Sequence, residues 1–83
     1  FVGDSVIGEN VDIGAGCMTV NRNTNWEKIK VRNGKTNLAT NMEKLGAFVG
    51  DGVVIGAGNT IQPGTVVLPG KNLPACYSVT NKT

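Results

Sequence analysis

The residues best placed to do chemistry are the cations of one internal stretch. Between positions 22 and 46 lie Arg22, Lys28, Lys30, Arg32, Lys35 and Lys44 against Glu27 and Glu43, a local balance of +4, while the remainder carries Lys71 and Lys82 against Asp4, Glu9, Asp12 and Asp51, a balance of −2. Basic side chains gathered on a nearly neutral body suit a small polyanion such as a phosphate ester or nucleotide. The same lysines also suit a solvated hairpin whose charges keep a strand edge from pairing with other chains. A net charge of +2 is too small to point to nucleic acid or a membrane surface. The sequence contains no histidine, so the commonest general base is missing from these residues. Without histidine, and with Cys17 and Cys76 far apart, no metal site is expected.

The elements that must position these cations follow from a six-residue period. IGENVD (Ile7–Asp12) and IGAGCM (Ile13–Met18) each begin with an aliphatic residue and a glycine, and each has a compact fifth residue, Val11 or Cys17. FVGDSV, starting at Phe1, reads as a preceding unit with its glycine in third place. The phase resumes as VGDGVV from Val49, IGAGNT from Ile55 and IQPGTV from Ile61, then wears down in VLPGKN and LPACYS. A period of six fits neither an amphipathic strand nor a helix; a short fixed repeat signals a solenoid. The first position should point into the axis of a prism. The fifth should face a flat wall that admits only small side chains, and glycine in second place suits a corner that needs φ > 0. VVIGAGNT (Val53–Thr60) looks like a dinucleotide-binding turn, but Ile61 stands where a third glycine is required and Pro63-Gly64 would break the helix.

Residues 22–46 interrupt the period. Ile29 and Val31 alternate with Lys30 and Arg32, and Asn33-Gly34 follows, the composition of a type I′ hairpin turn. This stretch is predicted to be a β-hairpin arm. Thr40 with Glu43 three residues later is predicted to cap a helical turn. The expected organisation is a β-helix domain over 1–78, with its arm at 22–46, and a loose polar tail from 79 to 83. A solenoid this short has a small core and open ends, which argues for an oligomer or a piece of a longer protein, with the arm around Trp26 packed on a neighbour. Two cysteines are too few for a disulfide framework, and reduced thiols in the cytoplasm are expected.

The segment FVGDSVIGENVDIGAGCMTVN resembles the acetyltransferase domain of bifunctional sugar-1-phosphate nucleotidylyltransferase/amino-sugar-1-phosphate N-acetyltransferases, in which (Y/F)-(L/V)-G-D-x-x-I-G-x-N-V-N-I-G-A-G-T-x-T-x-N recurs. KLGAFVGDGV (Lys44–Val53) is similar to that family's return from its insert. The resemblance implies an all-β, left-handed parallel β-helix of hexapeptide repeats, assembled as homotrimers with acetyl-CoA as acyl donor and an amino-sugar phosphate as acceptor. It further implies sugar contacts from Asn21 and Phe1, phosphate contacts from Lys28 and Lys30, and backbone contacts to the CoA arm at Ala57 and Ala75. Phe1 stands where the family has tyrosine, so the ring is kept and the hydroxyl lost. Asp12 replaces a usual asparagine, and Cys17 replaces a threonine as a core filler. The family's catalytic histidine would lie three residues before Phe1, so the chain reads as part of an acetyltransferase with no catalytic residue of its own. The competing class is non-enzymatic: a trimeric β-helical scaffold or small-anion-binding module. A carbonic anhydrase of this fold is opposed by the missing histidines.

Overall fold

The computed structural model of the chain describes residues 1–33 and 36–80, and the side chains of residues 32–38 fall outside that description. Eleven strands are present among these residues and no helix. Nine are two-residue strands on the wall of a prism: β1 (Val6–Ile7), β2 (Asp12–Ile13), β3 (Met18–Thr19), β6 (Phe48–Val49), β7 (Val54–Ile55), β8 (Thr60–Ile61), β9 (Val66–Val67), β10 (Asn72–Leu73) and β11 (Ser78–Val79). They form three parallel sheets ordered β1-β6-β9, β10-β7-β2 and β11-β8-β3. The register stacks equivalent positions of successive coils: Ile7 on Val49 on Val67, Ile13 on Ile55 on Leu73, and Thr19 on Ile61 on Val79. This is the parallel β-helix expected from the period of six.

First positions supply the core, with Val49, Ile55, Ile61, Val67, Leu73 and Val79 all buried. Fifth positions join them as Cys17, Ala47, Val53, Asn59 and Thr65, and Val11 packs against the same cluster. The Asn59 side chain is fully buried and fully bonded: its Nδ2 donates to Gly56 O and Pro74 O, both at 2.7 Å, and its Oδ1 accepts from Tyr77 N at 2.8 Å. One asparagine thus ties two coils together without leaving a buried polar atom unpaired.

The second-place glycines recur within the chain for a reason other than the one expected. Positive φ falls at the fourth position of the unit: Asn10 (φ 57), Gly16, Gly52, Gly58, Gly64, Gly70 and Cys76 (φ 63). Glycine in second place answers to crowding between coils. A Cβ on Gly14 would lie 2.6 Å from Ala57 N, and one on Gly56 would lie 2.7 Å from Ala75 N.

Three further expectations are corrected. Val2, not Phe1, bridges to Thr19, so the first unit is one residue short and turns at Asp4 (φ 48). Ser5 still fills the inward fifth place, where its Oγ donates to Gly3 O at 2.8 Å and accepts from Ala47 N at 2.9 Å. The predicted helical turn at Thr40 is absent, because Thr40 lies in a strand and its Oγ1 donates to Ile29 O at 2.6 Å. Ser78–Val79 is a paired strand with Val79 only 2 % exposed, so the repeat runs past the expected boundary at 78; residues 81–83 of the predicted loose tail lie outside the described residues.

The predicted arm is an antiparallel pair, β4 (Ile29–Asn33) with β5 (Thr36–Met42), bulged between Ile29 and Lys30. Asn33 pairs with Thr36, and the predicted Asn33-Gly34 turn falls partly on 34 and 35, which lie outside the described residues.

The two glycine roles separate by substitution. Gly14→Ala should destabilise by at least about 2 kcal/mol, since its methyl strikes backbone that cannot yield without parting the coils. Cys76→Gly should stabilise by about 0.5–1 kcal/mol by relieving a left-handed cysteine. Denaturant unfolding with both variants is the check, and equal, small effects would refute the assignment.

Candidate functional site

The arm leaves and rejoins the prism at one corner. Leu45 N donates to Asn21 O at 2.7 Å and Gly46 N donates to Asp4 O at 2.8 Å, which clasps the outgoing and returning chain together. Asn21 Nδ2 adds a 2.7 Å bond to Asp4 Oδ2. A tight loop follows. Trp26 N donates to Asn23 O at 3.0 Å, Asn23 Nδ2 to Glu27 O at 3.2 Å, and Glu27 N to Asn25 Oδ1 at 3.0 Å. This bonding holds Trp26 at φ 61, with the Arg22 guanidinium 3.9 Å from its ring centroid.

Ile29, 1 % exposed, anchors the root of the arm against Gly64, where a Cβ would run into the Lys30 carbonyl and lie 3.0 Å from Ile29. Across the hairpin, Lys28 Nζ donates to Asn41 Oδ1 at 2.9 Å. Lys28 and Lys30 thereby line one cleft of about 160 Å³ with Asn23, Gln62, Pro63, Thr65 and Thr80. A second cleft of about 300 Å³, lined by Val20, Arg22, Asn23, Thr24, Asn25, Glu27 and Gln62, shares Asn23 and Gln62 with the first. Two ammonium groups beside amides and hydroxyls are donors suited to an anion such as phosphate. Among the described residues, no group of three or more His, Cys, Asp or Glu side chains is placed to hold a metal.

The other sequence-predicted residues fall elsewhere. Phe1 and Asn21 meet around Gly3, where a Cβ would lie 2.7 Å from the Phe1 ring and 2.8 Å from Asn21 Nδ2. Neither lines the lysine cleft. Ala57 and Ala75 stack on a different corner, both exposed, with Cys76 N donating to Ala57 O at 2.9 Å. Asp12 is exposed on the wall of the prism, and Cys17 is buried with its Sγ donating to Gly56 O at 3.1 Å. Arg22 belongs to the cation cluster read from the sequence, whereas Asn23, Gln62, Thr65 and Thr80 carry no such reading. A signal existed for Gln62, because IQPGTV breaks the second-place glycine rule that VGDGVV and IGAGNT obey.

The period of six and the parallel stacking make this a hexapeptide-repeat segment, and comparison with known proteins finds it similar to proteins named as acetyltransferases. The chain is 39 % identical over 67 residues to the bifunctional sugar-1-phosphate nucleotidylyltransferase/acetyltransferase of Sulfurisphaera tokodaii, covering 81 % of this chain and 17 % of that protein. It is 37 % identical over 67 residues to the bifunctional protein GlmU of Methanocaldococcus jannaschii, covering 81 % of this chain and 16 % of that one. It is 30 % identical over 73 residues to the putative uncharacterized acetyltransferase YaiX of Escherichia coli, covering 88 % of this chain and 32 % of the relative. The chain therefore spans between about a sixth and a third of the length of these relatives. No protein-family model matches it.

The packing of the arm can be tested apart from its backbone conformation. Gly52 and Gly64 both have positive φ, 70° and 75°, but a Cβ on Gly52 meets nothing within 4 Å. Gly52→Ala should cost about 1 kcal/mol from its left-handed backbone alone. Gly64→Ala should cost distinctly more and should raise amide exchange along β4. Equal costs would show that the root of the arm is not seated on Gly64.

Proposed function

We propose that this chain is part of a CoA-dependent N-acetyltransferase domain acting on an amino-sugar phosphate similar to glucosamine 1-phosphate. The observation that carries the reading is the cleft at the arm root, where Lys28 and Lys30 stand over Asn23, Gln62 and Thr65 on a hexad segment similar to known acetyltransferases. Lys28 and Lys30 would take the phosphate, and Phe1 and Asn21 the sugar. The exposed backbone at Ala57 and Ala75 would lie along the acetyl-CoA arm. In the reaction the sugar amine attacks the thioester carbonyl, an N–C bond forms, the C–S bond breaks, and the amine proton passes to a base while the CoA thiolate leaves. Donors around the thioester oxygen would stabilise its developing charge. No general base is assigned to these residues, which contain no histidine.

A homotrimer with sites between subunits belongs to the same reading, as does a cytoplasmic setting. Among the described residues no helix is long and apolar enough to cross a membrane. The absence of histidine favours a second reading, a β-helical scaffold or anion-binding module without chemistry.

Calorimetry with glucosamine 1-phosphate and with CoA tests the proposal. Binding should weaken as salt rises, because phosphate contacts are screened. Lys28→Ala with Lys30→Ala should lower affinity by about tenfold or more, since each charged hydrogen bond is worth roughly 1.5–3 kcal/mol. Lys71→Ala with Lys82→Ala should change it little. Equal losses from the two pairs would move the phosphate elsewhere, and no binding at millimolar ligand would support the scaffold.

A further inference from the structure

Asn23 and Gln62 line both clefts of the arm root, and each is a half-buried amide whose nitrogen is already committed. Asn23 Nδ2 donates to Glu27 O at 3.2 Å. A main-chain carbonyl only accepts, so this bond fixes which end of the Asn23 amide is nitrogen. Gln62 Nε2 donates to Ser78 Oγ at 3.0 Å, which pins the side chain across two coils. The oxygens of the two amides, Asn23 Oδ1 and Gln62 Oε1, have no hydrogen-bond partner among the described residues.

The site is therefore divided by hydrogen-bond character. On one side of this pair stand the ammonium groups of Lys28 and Lys30, which only donate. On the other, Arg22 and Glu27 bring opposite charges to the second cleft, with the Arg22 guanidinium set over the Trp26 ring at 3.9 Å. The second cleft thus suits an uncharged part of a ligand. Between the two, the amide oxygens can only accept. Phosphate oxygens offer them no bond, whereas an N–H or O–H carried next to the phosphate does. Gln62 lines the same cleft as the lysines, so the donor it meets lies close to the ester.

We propose that Gln62, together with Asn23, determines the specificity of the site: its Oε1 accepts a hydrogen bond from an N–H or O–H on the carbon next to the phosphate ester carbon. The class selected is a phosphate monoester with a neighbouring amine or hydroxyl. The proposal rests on the phosphate reading of Lys28 and Lys30, and it leaves the rest of the sugar to Phe1 and Asn21.

The experiment is calorimetry of the full chain with inorganic phosphate, 2-deoxyglucose 1-phosphate, glucose 1-phosphate and glucosamine 1-phosphate. The deoxy ester lacks the neighbouring donor that the other two esters carry. Those two should bind about threefold to tenfold tighter than the deoxy ester, the scale of one hydrogen bond. Gln62→Leu should remove most of that preference and leave inorganic phosphate binding unchanged. Gln62→Glu keeps an acceptor in place, so it should retain the preference while weakening every phosphate by its added charge. Circular dichroism melts of both variants check that the fold survives.

A wild-type chain that binds the deoxy ester as tightly as the other two would overturn the proposal. So would a preference that survives Gln62→Leu in full. If inorganic phosphate binding is still lost in Lys28→Ala with Lys30→Ala, the phosphate reading stands without it. Absence of binding by inorganic phosphate and by every ester would overturn both.

Discussion

Everything in this structure depends on how closely successive coils are stacked. At the second position of the hexad, the backbone of one coil lies against the backbone of the next. Gly8 N, Gly14 N, Gly50 N and Gly56 N each donate at 2.8 Å to the coil beneath, to Val49 O, Ile55 O, Val67 O and Leu73 O. At Gly14, Gly50 and Gly56 a Cβ would come within 2.6–2.7 Å of a main-chain nitrogen in that neighbouring coil. At these positions the coils can lie this close because no side chain stands between them.

The same constraint is relaxed at one corner of the prism. The second positions after Thr19, Ile61 and Val79 are Val20, Gln62 and Thr80, none of them glycine, and all three stand at one corner. That corner sends out the arm, and those three residues help line its two clefts. The other two corners keep glycine in their first two coils, at Gly8 and Gly50 and at Gly14 and Gly56. Loss of the glycine rule therefore coincides with the candidate site, and the side chains gained there are among those that would meet a ligand.

Much of this was legible in the sequence, and for physical reasons. The repeat fixed which residues face inward, because Ile55, Ile61 and Val67 recur at a spacing that only a coil of short strands can use. The alternation Ile29-Lys30-Val31-Arg32 gave the arm. What stayed hidden depends on contacts between distant residues. Nothing local reveals that Val2 rather than Phe1 faces Thr19, since the shortened first unit is visible only when two coils are paired. Thr40 carries a sound local capping pattern, overridden by its bond to Ile29 O across the hairpin. The cleft combines an arm with a corner far along the chain, so Lys28 could be proposed from charge, whereas Thr65 and Thr80 could not.

The proposed anion site gathers Lys28 and Lys30 at one cleft of the arm root. Its geometry makes a claim about location that is independent of turnover. An amide-resolved NMR titration with glucosamine 1-phosphate tests that claim most directly. Our account predicts that the amides of Asn23, Lys28, Lys30, Gln62 and Thr65 shift together with one affinity. Shifts confined to another corner of the prism, such as Ala57 to Cys76, with the arm root silent, would contradict it.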